Sequence, residues 1–180
     1  LVFVLLSIKM SIFQAIILGF VQGITELLPI SSSGHLVLVE AWMHFDVEAM
    51  KSFDIALHVA TLGALVVYFW KDFLQLILLK NKPLLLQLVI AMIPAVLAGL
   101  FLGDWLDAIF RKPEWVAFWM AFVAVFFLIA ERIPKVKKQE KITLKNAFFI
   151  GLGQMCALVP GVSRSGITII SGMFQGITRE

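Results

Sequence analysis

Three stretches of this chain, Phe53–Trp70, Leu84–Gly103 and Trp115–Ala130, are apolar and near the length that crosses a bilayer, for which about 20 mostly apolar residues are needed. No other feature restricts the fold as strongly. Backbone in hydrocarbon must satisfy its own polar groups, which helices do within one segment. Hydrophobic residues make up 61% of the 180, and only 15% are charged, against about a quarter in soluble domains. That much apolar surface requires lipid as solvent, so the expected class is all-α, a polytopic membrane protein. Pro94, inside the second stretch, is compatible with a kinked membrane helix. Trp70, Trp105 and Trp115 stand near the stretch ends, where such rings favour the headgroup zone. The one cysteine, Cys156, excludes an internal disulfide framework. A net charge of +3 points to no nucleic-acid partner, and the lysines are explained by topology.

Residues 131–145 hold six bases (Arg132, Lys135, Lys137, Lys138, Lys141, Lys145) against Glu131 and Glu140, and 71–83 hold Lys71, Lys80 and Lys82 against Asp72. Residues 44–54 carry Asp46, Glu48 and Asp54 against Lys51, and 104–114 carry three acids and two bases. The positive-inside rule puts 71–83 and 131–145 in the cytoplasm and the other two loops outside. Three spans between these four loops close the parity. A single integral membrane domain is expected over 10–180. Met10 is the more plausible start, with 1–9 as an upstream extension that lacks signal-peptide features. The stop at Arg179-Glu180 suggests a C-terminally truncated chain.

Two further segments are apolar but broken. Ser11–Ile30 carries Gln14, Gln22, Thr25 and Glu26, breaks at Leu28-Pro29-Ile30-Ser31-Ser32-Ser33-Gly34, and resumes as His35–Met43. Ala147–Val159 breaks at Pro160-Gly161-Val162-Ser163-Arg164-Ser165-Gly166 before Ile167–Phe174. Each reads as a half-helix, a polar tip and a second half-helix, that is, a re-entrant pair. Such backbone is tolerated at membrane depth only where protein or a wet cavity satisfies it. An offset of 132 lays Gly19 on Gly151, Gln22 on Gln154, Ser31 on Ser163, Ser33 on Ser165 and Gly34 on Gly166. Matched interruptions in two halves are the pattern of an inverted-topology repeat with a site near the midplane.

The tips carry the chemistry. Serines cap helix starts, and free N–H groups at a helix start form an anion site. Two converging starts would cradle phosphates through Ser31, Ser33, Gly34, Ser163, Ser165 and Gly166. Arg164 adds a guanidinium fork suited to phosphate oxygens. It is either substrate-facing or spent in a salt bridge to Glu26, because a lone arginine in lipid needs a partner. Gln22 and Glu26, four apart on one helix face, offer oxygen to a hard divalent cation. Gln22 has the alternative of simply hydrogen-bonding a neighbouring helix. His35 can take a serine proton or attack phosphorus itself. His44 reads as a loop residue and His58 as a packed span residue. Spacing does not say which of Ser31, Ser32 and Ser33 is the nucleophile.

The run Gln22-Gly23-Ile24-Thr25-Glu26-Leu27-Leu28-Pro29-Ile30-Ser31-Ser32-Ser33-Gly34-His35 resembles the first signature of the undecaprenyl-diphosphate phosphatase (bacitracin-resistance) family. The run Pro160-Gly161-Val162-Ser163-Arg164-Ser165-Gly166-Ile167-Thr168 resembles its second. Gln22 stands where many members have Glu, one carboxylate fewer. The resemblance implies hydrolysis of undecaprenyl diphosphate to undecaprenyl phosphate and inorganic phosphate, at a site open to the outer face of the bacterial inner membrane. It implies Ser32 as nucleophile with His35 beside it, and Arg164 and Thr168 at the phosphates. It also implies Gln22 and Glu26 near Mg2+ or Ca2+. The expected partners are a polyprenyl diphosphate lipid and the bilayer, with a homodimer as a compatible assembly. A lipid-phosphate flippase or anion transporter of the same inverted-repeat build is the competing reading. A purely structural subunit would leave Glu26 and Arg164 unexplained.

Overall fold

The computed structural model describes residues 10–132 and 142–177. The expected upstream extension and most of the basic 131–145 loop lie outside the described residues. Among the described residues the regular structure is helical: α1 Ile12–Glu26, α2 Ser32–Trp42, α3 Lys51–Tyr68, α4 Trp70–Ile77, α5 Lys82–Phe110, α6 Pro113–Arg132, α7 Leu144–Cys156 and α8 Arg164–Phe174. Three of them, α3, α5 and α6, are long and apolar enough to cross a membrane. Large apolar side chains on them stand open to the surroundings, Tyr68 at 81% and Phe101 at 80% exposure. Such a surface is stable only against lipid, and the protein is a multi-pass membrane protein.

The breaks are built by local rules. Ser11 opens α1 through a capping box with Gln14, and Pro29 lies just past its end, where a helix does not continue. Thr143 and Asn146 open α7 in the same way. Two expected loops are corrected. Residues 104–114 are mostly helix, because α5 runs to Phe110 and stops only before Arg111-Lys112-Pro113. At 1.5 Å per residue its 29 residues reach about 43 Å, well past a hydrocarbon core of roughly 30 Å. Residues 71–83 contain α4, whose Lys71, Asp72 and Gln75 are interleaved with Phe73, Leu74 and Ile77. Its polar residues suggested a loop, but their spacing suits a one-sided helix.

Packing falls into two clusters. Met10, Leu18, Leu36, Met50 and Phe53 join α1, α2 and the start of α3, whereas Val123, Ala130, Val162, Ile170 and Met173 join α6 to the second tip and α8. Between them α5 and α7 cross at backbone distance: a Cβ at Gly151 would stand 2.4 Å from the carbonyl oxygen of Ala91. The two acidic segments meet at one end of the bundle. Lys51 pairs with Glu48 (2.7 Å) and with Asp107 (2.6 Å), and Arg111 pairs with Asp54. At the other end Gln87 donates to the carbonyl of Ile142 (2.6 Å), tying the α5 start to the approach of α7. The 44–54 and 104–114 segments therefore share one end of the bundle.

Candidate active site

Each tip is held by its own serine. Ser31, in the left-handed region at φ 69°, caps α2 by accepting the N–H of Gly34 (3.3 Å). Ser163 caps α8 by accepting the N–H of Gly166 (3.1 Å). The two glycines make room for different neighbours: a Cβ on Gly34 would meet the side chain of Met120 (Sδ at 2.6 Å), and one on Gly166 would meet the Pro29 carbonyl of the other tip at 3.1 Å. The tips come together there, and Ser165 Oγ donates at 3.5 Å to the carbonyl of Leu28.

Between them lies a cavity of about 290 Å³, lined by Glu26, Ser31, Ser32, Ser33, Ser163, Arg164, Ser165 and Thr168, with His58 and Gln154 completing the wall. Residues from two helix starts, Ser32–Trp42 and Arg164–Phe174, line it, and the dipoles of such starts favour an anion. Ser32 Oγ donates to Glu26 Oε2 (2.5 Å), a distance expected of a charge-assisted O–H···O contact. Ser31 and Ser163 are occupied as caps, so Ser32 is the serine of the first tip that faces a proton acceptor. Among the described residues Arg164 has no ion pair, and its side chain is open to the cavity. The expected alternative, a salt bridge to Glu26, does not form. Thr168 donates to the carbonyls of Arg164 and Ser165 (both 3.0 Å), leaving its oxygen only as an acceptor toward the cavity.

Gln22 is buried, and its Nε2 donates to Glu26 Oε2 (2.9 Å) and to Thr61 Oγ1 (3.2 Å). Gln22 thus hydrogen-bonds the neighbouring α3, as one of its two expected readings has it, and also stands beside Glu26. Its Oε1 is buried without a partner. Among the described residues no three His, Cys, Asp or Glu side chains gather as a metal cluster.

The histidines are where sequence reasoning is corrected. His35 does not stand beside Ser32. Its Nδ1 contacts the carbonyl of Ser31 (2.8 Å), and its ring lines a separate apolar cavity with Met120, Val123 and Phe127. The contact with the Ser31 carbonyl holds the ring to the preceding turn and toward that cavity, which adjacency in the chain conceals. His58 is not a packed span residue. It lines the main cavity, with Nε2 at 3.8 Å from Glu26 Oε2. A signal for it was present, because Asp54, His58 and Thr61 fall at i, i+4 and i+7 on one face of α3.

Fold and site define a multi-pass membrane protein whose central cavity, walled by helix starts, a serine–carboxylate pair and an unpaired arginine, suits a multiply charged anion. The chain belongs to the bacitracin resistance protein BacA family, whose model matches residues 15–180. It is 44% identical over 171 residues to the undecaprenyl-diphosphatase of Thermodesulfovibrio yellowstonii, covering 93% of this chain and 65% of that one. It is 42% identical to the undecaprenyl-diphosphatase of Rubrobacter xylanophilus and 40% identical to that of Geotalea daltonii, in each case over 95% of this chain and 68% of the relative. The chain thus spans about two thirds of the length of these relatives.

Proposed function

We propose that this chain carries the reactive centre of an undecaprenyl-diphosphate phosphatase, which hydrolyses the lipid diphosphate to undecaprenyl phosphate and inorganic phosphate. The observation that carries the reading is the contact of Ser32 Oγ with Glu26 Oε2 in a cavity shared with Arg164. Glu26 takes the hydroxyl proton as Ser32 Oγ attacks the terminal phosphorus. The bond from phosphorus to the bridging oxygen breaks, its electron pair leaves with undecaprenyl phosphate, and that oxygen takes the proton from Glu26, which is again a carboxylate. Water then attacks the phosphoserine, giving its proton to Glu26, which returns it to Ser32 as the P–Oγ bond breaks. Arg164 and the amides of the two helix starts hold the charge that develops on the phosphoryl oxygens. His35 takes no part in this scheme; its ring bond to Ser31 steadies the tip.

A divalent cation belongs to the same proposal. Gln22 Oε1 is an orphaned buried oxygen, and the neighbouring Glu26 supplies a carboxylate, both hard donors. One carboxylate and one amide are too few for a calcium cage but suit Mg2+, which keeps waters and takes substrate phosphate oxygens. Such an ion would supply charge neutralisation at the diphosphate.

The architecture is read in the same spirit. The equal capping roles of Ser31 and Ser163, and of Gly34 and Gly166, support two re-entrant pairs related by an inverted repeat. A second cavity, of about 530 Å³, reaches from Glu26, Ser33 and Arg164 to Lys51, Asp107 and Arg111. Since that end bears the acidic segments, it supports a site open to the outer face of the inner membrane. A homodimer is compatible with the exposed apolar faces of the helices.

The test is phosphate release from undecaprenyl diphosphate by the detergent-purified protein at the length of its relatives, with and without chelator. Release that disappears in Ser32→Ala and falls with chelator is expected. A transporter would move the lipid unchanged, and absence of any release overturns the reading.

A further inference from the structure

The 132-residue offset lays Gln22 on Gln154, and it does the same for the helices that carry them. α1 begins at Ile12 and α7 at Leu144, each behind a capping box, while α2 runs from Ser32 to Trp42 and α8 from Arg164 to Phe174. The two glutamines are nevertheless used differently. Gln22 is spent inside the protein, on Glu26 and Thr61. Four residues past Gln154, where Glu26 follows Gln22, stands Leu158, which lies against Gly99 of α5. The Gln154 amide therefore has no carboxylate one turn on, and among the described residues it makes no hydrogen bond. It is half-buried in the wall of the main cavity, with Ala157 just past its own helix and Thr168 of α8. That wall is held from behind. Gly151 brings α7 onto the Ala91 backbone of α5, and Gly153 brings it onto Ser171 of α8.

The reaction sets the direction in which a diphosphate must lie. In an in-line displacement the attacking and leaving oxygens stand on opposite sides of phosphorus. Glu26 and Ser32 come from α1 and α2, which pack on each other, whereas Gln154 and Thr168 come from α7 and α8, which form a pair of their own. The leaving oxygen and the lipid-side phosphate therefore point toward the α7–α8 wall. A phosphate oxygen needs a donor there. Thr168 has its hydrogen on backbone carbonyls, and the Ser165 hydroxyl contacts Ser163 Oγ and the carbonyl of Leu28. Beside Arg164, the free donor is Gln154 Nε2, which carries two hydrogens. We propose that Gln154 binds the lipid-side phosphate, its Nε2 donating to an oxygen that departs with undecaprenyl phosphate. This division leaves the Arg164 charge to the transferred phosphoryl group. The inference rests on the serine–carboxylate reading above.

The experiment uses the protein at the length of its relatives and compares wild type with Gln154→Ala, Gln154→Leu and Gln154→Glu, with Ser32→Ala alongside. It reads kcat, KM, inhibition by undecaprenyl phosphate, inhibition by inorganic phosphate, and thermal unfolding in detergent. A contact made equally in substrate and transition state appears in KM rather than kcat. Loss of one hydrogen bond to a charged group should weaken binding roughly ten- to hundredfold. Gln154→Ala and Gln154→Leu should therefore raise KM and the inhibition constant of undecaprenyl phosphate together by that factor. Their kcat, their inhibition by inorganic phosphate and their unfolding temperature should stay near wild type. Gln154→Glu sets a carboxylate against the phosphate and should bind both lipids worst. Unchanged inhibition by undecaprenyl phosphate overturns the proposal, as does an equal weakening of inorganic phosphate, which would place the amide at the transferred group. A large loss of unfolding temperature in both Ala and Leu variants makes Gln154 a packing residue and overturns it too. Activity surviving in Ser32→Ala instead overturns the underlying reading, so the two failures are told apart.

Discussion

Ser31 and Ser163 lie 132 residues apart and do the same work: each accepts the N–H of the glycine three residues on and so begins a half-helix. Their equivalence explains why neither is available as a nucleophile, and why the reactive hydroxyl falls to the next residue, Ser32. It also sets the terms on which the serines are separated by mutation.

Ser32→Ala should abolish phosphate release while leaving the fold intact, because its hydroxyl contacts Glu26 and caps nothing. Ser31→Ala and Ser163→Ala should each cost about 1 kcal/mol of stability as lost caps, with partial activity. Ser31→Gly should be milder than Ser31→Ala, since glycine tolerates the left-handed backbone there. Paired measurements of thermal unfolding in detergent and of phosphate release decide the assignment. A Ser32→Ala variant with near-normal turnover would refute it.

Arg164→Ala should lose roughly 10²–10³ in rate, about 2.7–4 kcal/mol in the barrier, as for removal of one donor to a developing oxyanion. Arg164→Lys keeps the charge without the bidentate fork and should lie between the two. Because Arg164 has no ion pair among the described residues, its removal should barely move the unfolding temperature. A large thermal loss would mean that its role is structural.

The ion pairs at the acidic end invite the opposite expectation. Arg111 pairs with Asp54, beside which Glu40 is fully buried. Arg111→Ala leaves the buried Asp54 carboxylate without its cation, and truncating one partner of such a buried pair typically costs about 3–5 kcal/mol. Thermal unfolding in detergent should register it, and the double variant Arg111→Leu with Asp54→Leu should recover part of the loss. If Arg111→Ala unfolds at the wild-type temperature, the pair holds nothing together.

Gly151→Ala should loosen the crossing of α5 and α7, because the added methyl would stand 2.4 Å from the Ala91 carbonyl oxygen and backbone yields poorly. Overpacking of this kind typically costs about 1–3 kcal/mol. The control is Gly63→Ala, where a Cβ would meet nothing within 4 Å. Equal unfolding temperatures for the two variants would refute the close approach.

Orientation is tested with single cysteines introduced into a Cys156→Ser background and labelled by an impermeant thiol reagent in intact cells. A cysteine at 112, in the 104–114 segment, should label from outside, and one at 138 should label only after the membrane is opened. Labelling of 138 in intact cells would invert the topology.

Much of this was legible in the chain. Long apolar runs and the two serine–glycine tips are local or additive signals, and they give the spans and the meeting of the tips. What escaped was rotational. His35 is next to the serines in sequence yet faces another cavity, whereas His58 is 26 residues from Ser32 and faces the same one. The contact with the Ser31 carbonyl directs His35, angular position on α3 directs His58, and only the i, i+4, i+7 stripe of Asp54, His58 and Thr61 records the latter. The pairing of Asp54 with Arg111, 57 residues away, left no mark beyond two charges near two helix ends.

The two hydrophobic clusters do not share a residue: one seats Ser32 and Glu26, the other seats Arg164. The reactive geometry is therefore assembled from two parts with separate cores, as the jaws of a clamp are mounted on separate arms. A defect in either cluster misaligns its own jaw while leaving the other true. Weak packing lesions far from the cavity, one in each cluster, should then combine into a loss of rate that neither predicts from its effect on stability.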